Sequence, residues 1–244
     1  MITTTRVRST VKALGVLTAM IIIGTQTVHA QTTIWNIPTT DVVAPGDIYF
    51  EFDFLTHPES HNDGGFQAYV PRAVVGVAKG VEVGVNVSFL DNATSDQAVY
   101  ASPNIKWQFY SGEENGVAAS VGGLLYTPIA NRGGADTFGL IYTTVSKKVS
   151  GTYGPRLTGG AYGLPGLADG AGTKGGAILG YEQPLHAKVS FVNDWFSGKN
   201  AFGYVTTGLS FTLPKRSLLN VGYSIGNQGA GNNAIFIYFG KTFP

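Results

Sequence analysis

Residues 81–90 read Val-Glu-Val-Gly-Val-Asn-Val-Ser-Phe-Leu, and this stretch decides the fold. Side chains alternate across a strand, so the valines and Phe89 fall on one face and Glu82, Gly84, Asn86 and Ser88 on the other. A tilted strand needs roughly 9 to 11 residues to cross a bilayer. The stretch therefore predicts a strand of membrane-spanning length with one apolar and one polar face.

The same alternation recurs along the chain and predicts about twelve strands between residues 47 and 244. The connections sort into two length classes. Longer loops rich in Gly, Asn and Asp, such as 56–67 and 163–173, alternate with short turns such as 78–80 and 214–217. This sorting is typical of outer-membrane barrels, whereas a soluble β-sandwich does not require it. We predict an all-β fold, an antiparallel transmembrane β-barrel of about 12 strands, with a soluble secreted β-protein as the alternative.

The N-terminus has the plan of a secretory signal peptide. Arg6, Arg8 and Lys12 precede an apolar stretch over 13–24, and Val28-His29-Ala30 supplies the small residues of a cleavage site. We predict a signal peptide over 1–30, cleaved after Ala30, and export to the bacterial outer membrane. Residues 31–46 are polar and contain prolines, so we predict a short lead-in in which Trp35 is the large anchor.

Composition narrows the function classes. The chain has 16 Lys and Arg against 15 Asp and Glu, and three of the basic residues lie in the predicted signal. Nucleic-acid binding would require a basic surface, so we expect no nucleic-acid partner. There is no cysteine, which leaves no disulfide framework and no cysteine for lipid attachment.

The C-terminal segment 234–243, AIFIYFGKTF, ends on phenylalanine with apolar or aromatic residues at alternate positions before it. It resembles the last strand of bacterial outer-membrane β-barrel proteins. The resemblance implies that the barrel-assembly machinery recognises this strand and that outer-membrane lipid surrounds the barrel. The implied signal residues are Ile235, Ile237, Phe239 and Phe243.

Alternation also assigns ten charged residues to the inward face. The acids are Glu51, Asp53, Glu82, Glu182 and Asp194, and the bases are Arg72, Lys106, Lys147, Arg156 and Lys188. Buried charges are tolerated when they are paired, so the set fits a lumen closed by ion pairs. It fits equally a narrow aqueous pore with acidic and basic walls, because about twelve strands leave room for either.

Enzymatic and metal chemistry find little support in the sequence. Barrel lipases and deacylases place a His and a Ser two residues apart, and Lys188 stands at that position after His186. Ser190 would lie roughly 13 Å from His186 along a strand, too far for a hydrogen bond. His57, Glu59, His61 and Asp63 share a loop but lack a metal-ligand spacing. We expect no enzyme, no metal site and no cofactor.

The sequence therefore favours a small passive channel, or porin-like transporter, for small polar solutes. A non-conducting barrel that stiffens the envelope or binds a partner through its loops is the alternative.

Overall fold

The computed structural model describes residues 32–93, 97–112 and 114–244, and the predicted signal peptide and its cleavage site lie outside them. The described chain forms twelve strands. Their bounds are β1 Ile48–His57, β2 Phe66–Ala78, β3 Val81–Asp91, β4 Val99–Gly112, β5 Val117–Ala130, β6 Phe138–Lys148, β7 Arg156–Gly163, β8 Gly175–His186, β9 Val189–Phe196, β10 Tyr204–Leu213, β11 Ser217–Gly226 and β12 Ala234–Phe243.

Each strand pairs antiparallel with its neighbours in sequence, and β12 pairs with β1 to close the barrel. The closing ladder runs from Ile48 opposite Phe243 to Thr56 opposite Ile235. Closure leaves no strand edge with unpaired backbone groups. The predicted fold class, a closed antiparallel barrel of twelve strands, is confirmed.

The connections give the barrel two different ends. The turn end carries the chain reversals after β2, β4, β6, β8 and β10, and the loop end carries the others. At the β10–β11 turn, Lys215 and Arg216 both adopt left-handed φ angles of 59° and 56°, as a tight hairpin turn requires. Short 3-10 helices, His61–Asp63 and Ala230–Asn232, lie in two loop-end connections. Among the described residues, no helix has the length and apolar character to cross a membrane.

The outer face of the barrel exposes large apolar side chains, while several charged and polar side chains are buried inside. On β1, Phe50 and Phe52 are each 40% exposed, whereas Glu51 between them is fully buried. Strand β3, which contains the stretch 81–90, shows the same arrangement, with Val85 and Phe89 exposed and Glu82 and Asn86 buried. An exposed apolar surface of this extent marks a contact with lipid or protein.

Candidate functional site: an occupied lumen

The lumen holds the chain's own N-terminal segment. Residues 32–43, called the plug segment from here on, are buried in the barrel except for Asn36, Asp41 and Val42, which are half-buried. The segment folds into a tight hairpin, because Thr39 N donates to Thr32 O and Ile34 N donates to Ile37 O, both at 3.0 Å. The sequence predicted only a lead-in here, so its place in the lumen is new information.

Asp194 on β9 holds the tip of the hairpin. Its Oδ2 accepts hydrogen bonds from three consecutive backbone amides, Trp35 N at 3.0 Å, Asn36 N at 2.7 Å and Ile37 N at 2.9 Å. The carboxylate is buried, and a buried charge needs such hydrogen bonds to offset its lost hydration. Asp194 therefore fixes the position of the hairpin in the lumen.

The Trp35 ring packs into a cradle on the wall formed by β10, β11 and β12. It lies 5.4 Å from the ring centroid of Phe236 and 6.0 Å from that of Tyr238. A Cβ added at Gly208 or Gly222, which face each other across β10 and β11, would come within 2.8 Å of the indole. The absence of side chains at these two glycines gives the indole its space.

Ion pairs on the opposite wall hold the stem of the hairpin. Lys106 Nζ lies 3.0 Å from Glu82 Oε1 and donates to Thr32 O at 3.0 Å. The other oxygen of Glu82 accepts from Val43 N at 2.7 Å. Each member of this pair therefore also bonds the plug segment.

Arg72 and Arg156 form comparable links. Arg72 pairs with Glu51 at 3.0 Å and donates to Thr33 Oγ1 at 3.2 Å. Arg156 bridges Glu182 on the wall and Asp41 of the plug segment. The charges of the wall are thus used to bind the segment as well as one another.

Two predicted lumen residues lie elsewhere. Lys147 is exposed on the outer side of β6, because Tyr142, Thr144 and Ser146 point inward and fix the alternation of that strand. Lys188 is exposed in the turn between β8 and β9, where the register shifts and alternation no longer applies. The remaining predicted residue, Asp53, is buried beside Glu51 on β1.

The two halves of the lumen differ in character. Beside β7 to β12, the tip of the plug segment joins an apolar cluster that includes Ile178, Val192 and Phe196. Along β2 to β6 a cavity of about 70 Å³ remains, lined by Arg72, Asn86, Asn104, Lys106 and the plug segment among others. A buried water needs about 10–15 Å³ of such space, so the cavity has room for a few waters or a small ion.

Of the loop residues singled out in the sequence, His57 has structural partners. His57 Nδ1 lies 2.6 Å from Asn233 O, and its ring stacks on Phe66. In another loop, a hydrogen bond from Lys174 lowers the pKa of the Asp169 carboxyl. No group of three metal-ligating side chains occurs in the part of the chain that the structure describes.

Comparison with known proteins shows the fold alone. No family model matches the chain, and no curated protein matches it. A solved structure from the work "Unveiling the Mechanism Behind the in-meso Crystallization of Membrane Proteins" has a TM-score of 0.50 and 10% sequence identity, covering 81% of this chain and 83% of that one. This likeness shows a shared fold.

Proposed function

We propose that the chain is an outer-membrane barrel that passes small polar solutes when its plug segment moves aside. The observation that carries the proposal is the occupied lumen, in which a separate segment is held by side chains of the wall. The exposed apolar belt supports insertion in lipid, because outer-membrane barrels face the bilayer with apolar residues and keep polar residues inside.

The polar wall along β2 to β4 supports solute passage. If the plug segment left, Arg72, Lys106 and Glu82 would face an aqueous lumen, and rings of charged side chains select solutes in pores. With the segment in place, the cavity of about 70 Å³ beside this wall has room for a few waters or a small ion. We therefore propose a closed resting state.

A non-conducting barrel is the second candidate, favoured by the apolar cluster around Trp35. This cluster extends to Leu140, Leu164 and Phe196 on the barrel side, and it resembles a protein core more than a pore lining. In this case the plug segment would be a permanent internal support.

A reversible disulfide between the plug segment and the wall distinguishes the gated channel from the non-conducting barrel. Thr40 Oγ1 and Ser146 Oγ lie 2.6 Å apart, close to the spacing that a disulfide needs. The chain has no other cysteine. In the Thr40→Cys/Ser146→Cys variant, oxidation should lock the segment and reduction should free it, with single-channel conductance in a planar bilayer as the readout.

We expect no current steps from the oxidised variant and brief steps after reduction, with a heat-shifted gel band showing that the barrel is folded. Adding Trp35→Ala should lengthen the open periods of the reduced form. Persistent silence from that folded, inserted triple variant would refute solute passage and favour the second candidate.

For assembly and export, we propose the route that the resemblance implies. Ile235, Phe239 and Phe243 are exposed on the outer face of β12, which leaves them available to the barrel-assembly machinery, and Ile237 alternates with them. Phe243→Ala should slow membrane insertion in cells, measured by the fraction of heat-shifted protein, while Pro244→Ala should not. The proposed function includes no enzymatic activity.

A further inference from the structure

The outer wall of the barrel carries a groove of about 940 Å³ that the plug segment does not touch. Its walls include Val145 on β6 and Leu179 on β8, both about half exposed. Its floor is Gly159 on β7, which lies opposite Val145 on one side and Leu179 on the other. The groove exists because the central residue of this three-strand row has no side chain.

The groove joins a polar pocket at the turn end. Lys147 lines both the apolar groove and a second pocket of about 400 Å³ formed by Glu114, Asn115, Lys148 and neighbouring turn residues. Two lysines, Lys147 and Lys148, line this pocket together with the carboxylate of Glu114. An apolar groove therefore ends, at the barrel rim, in a polar pocket that contains two lysines.

We propose that this composite site binds a phospholipid with an anionic headgroup, the acyl chain lying over Gly159 and the phosphate beside Lys147. The inference rests on the proposed placement in a membrane. A groove volume near 940 Å³ falls in the range of ligand-binding clefts. Basic residues at the membrane surface attract anionic lipids, which gives the headgroup its partner.

Two tryptophans make the site measurable. Trp195 lines the groove, whereas Trp107 is exposed on β4, away from it. In proteoliposomes, phospholipids with brominated acyl chains quench a tryptophan that they contact. Trp107→Phe leaves Trp195 as the outer-wall reporter, and Trp195→Phe leaves Trp107 as the matched control, with Trp35 buried inside the barrel in both.

We expect brominated phosphatidylglycerol to quench Trp195 at several-fold lower mole fraction than brominated phosphatidylcholine, and Trp107 to show no such preference. Lys147→Gln should reduce the preference about five-fold, as expected for one lysine at a membrane surface. Lys79→Gln, at the turn between β2 and β3 on another part of the rim, should leave it unchanged.

Filling the groove gives an independent test. A Cβ at Gly159 would meet only Leu179 Cδ2, at 3.9 Å, so Gly159→Leu should fold and should protect Trp195 from both lipids. A Trp195 without headgroup preference, or a preference that survives Lys147→Gln, would overturn the lipid site. If neither lipid quenched Trp195 or Trp107, the result would instead contradict insertion of the barrel in the membrane.

Discussion

Replacing Asp194 by alanine should release the plug segment from the lumen. The carboxylate accepts three backbone hydrogen bonds from residues 35–37, at 2.7–3.0 Å. An alanine side chain has no acceptor that could replace it. Leaving a buried donor unsatisfied costs about 1–3 kcal/mol. At the lower limit of about 1 kcal/mol each, losing the acceptor of three donors destabilises the bound segment by about 3 kcal/mol. The lower limit applies if water enters the vacated space.

A change of about 3 kcal/mol raises the ratio of released to bound segment about 100-fold. The assay uses the absence of native cysteine. Thr39 is fully buried, so a Thr39→Cys thiol reacts with a maleimide only when the segment is released. Under these conditions the labelling rate is proportional to the released fraction.

We expect Asp194→Ala to raise the labelling rate of Thr39→Cys about 100-fold, and Asp194→Asn to raise it less, because the amide retains one acceptor oxygen. Asp169→Ala, in an exposed loop, is the control and should have no effect. An unchanged rate in folded Asp194→Ala protein would show that the carboxylate does not hold the segment.

Three further changes test other parts of the structure. Arg72→Met leaves Glu51 buried without its cation, and breaking such a pair costs about 3–5 kcal/mol, which should lower the urea midpoint of unfolding in detergent far more than the matched Lys79→Met. Gly222→Val places a side chain against the Trp35 indole, so it should expose Trp35 and red-shift its emission in a Trp107→Phe/Trp195→Phe background. Val85→Lys puts a charge on the outer belt and should cost about 2–4 kcal/mol in lipid if the residue lies near the bilayer midplane, whereas equal stability of Val85→Lys and Val85→Ala in lipid would contradict that placement.

The strands were predictable because the alternation is local, whereas the barrel was inferred from the two length classes of the connections. On β1, β3 and β8 the side chains that alternate in sequence also separate into outward and inward sets, as Phe52 and Asp53 show. The prediction that Lys147 on β6 faces the lumen was wrong. Leu140 and Tyr142 of this strand are apolar yet face the lumen, where they join the apolar cluster. An apolar residue identifies the outer face only where the lumen beside it is polar.

The plug segment was not predictable from strand periodicity, since residues 32–43 form no strand of the barrel. The partner of its tip is distant in sequence, because Asp194 lies 157 to 159 residues from Trp35, Asn36 and Ile37. A local signal does exist. The segment carries Ile34, Trp35 and Ile37 close together, and an apolar group of this kind before the first strand needs somewhere to be buried.

The inward glycines supply the other half of that signal. Gly180 lies where an added Cβ would come within 2.6 Å of Ile34 and 2.7 Å of Ile37, and Gly208 and Gly222 make room for Trp35 in the same way. Glycine weakens a strand, so three inward glycines opposite three apolar residues of one segment represent a local cost that packing offsets. The complementarity predicts that Gly180→Ala would disturb the plug segment and raise the labelling of Thr39→Cys. Gly159→Ala, whose added Cβ would meet only Leu179 Cδ2 at 3.9 Å on the outer face, would not, although both substitutions remove a glycine from a strand.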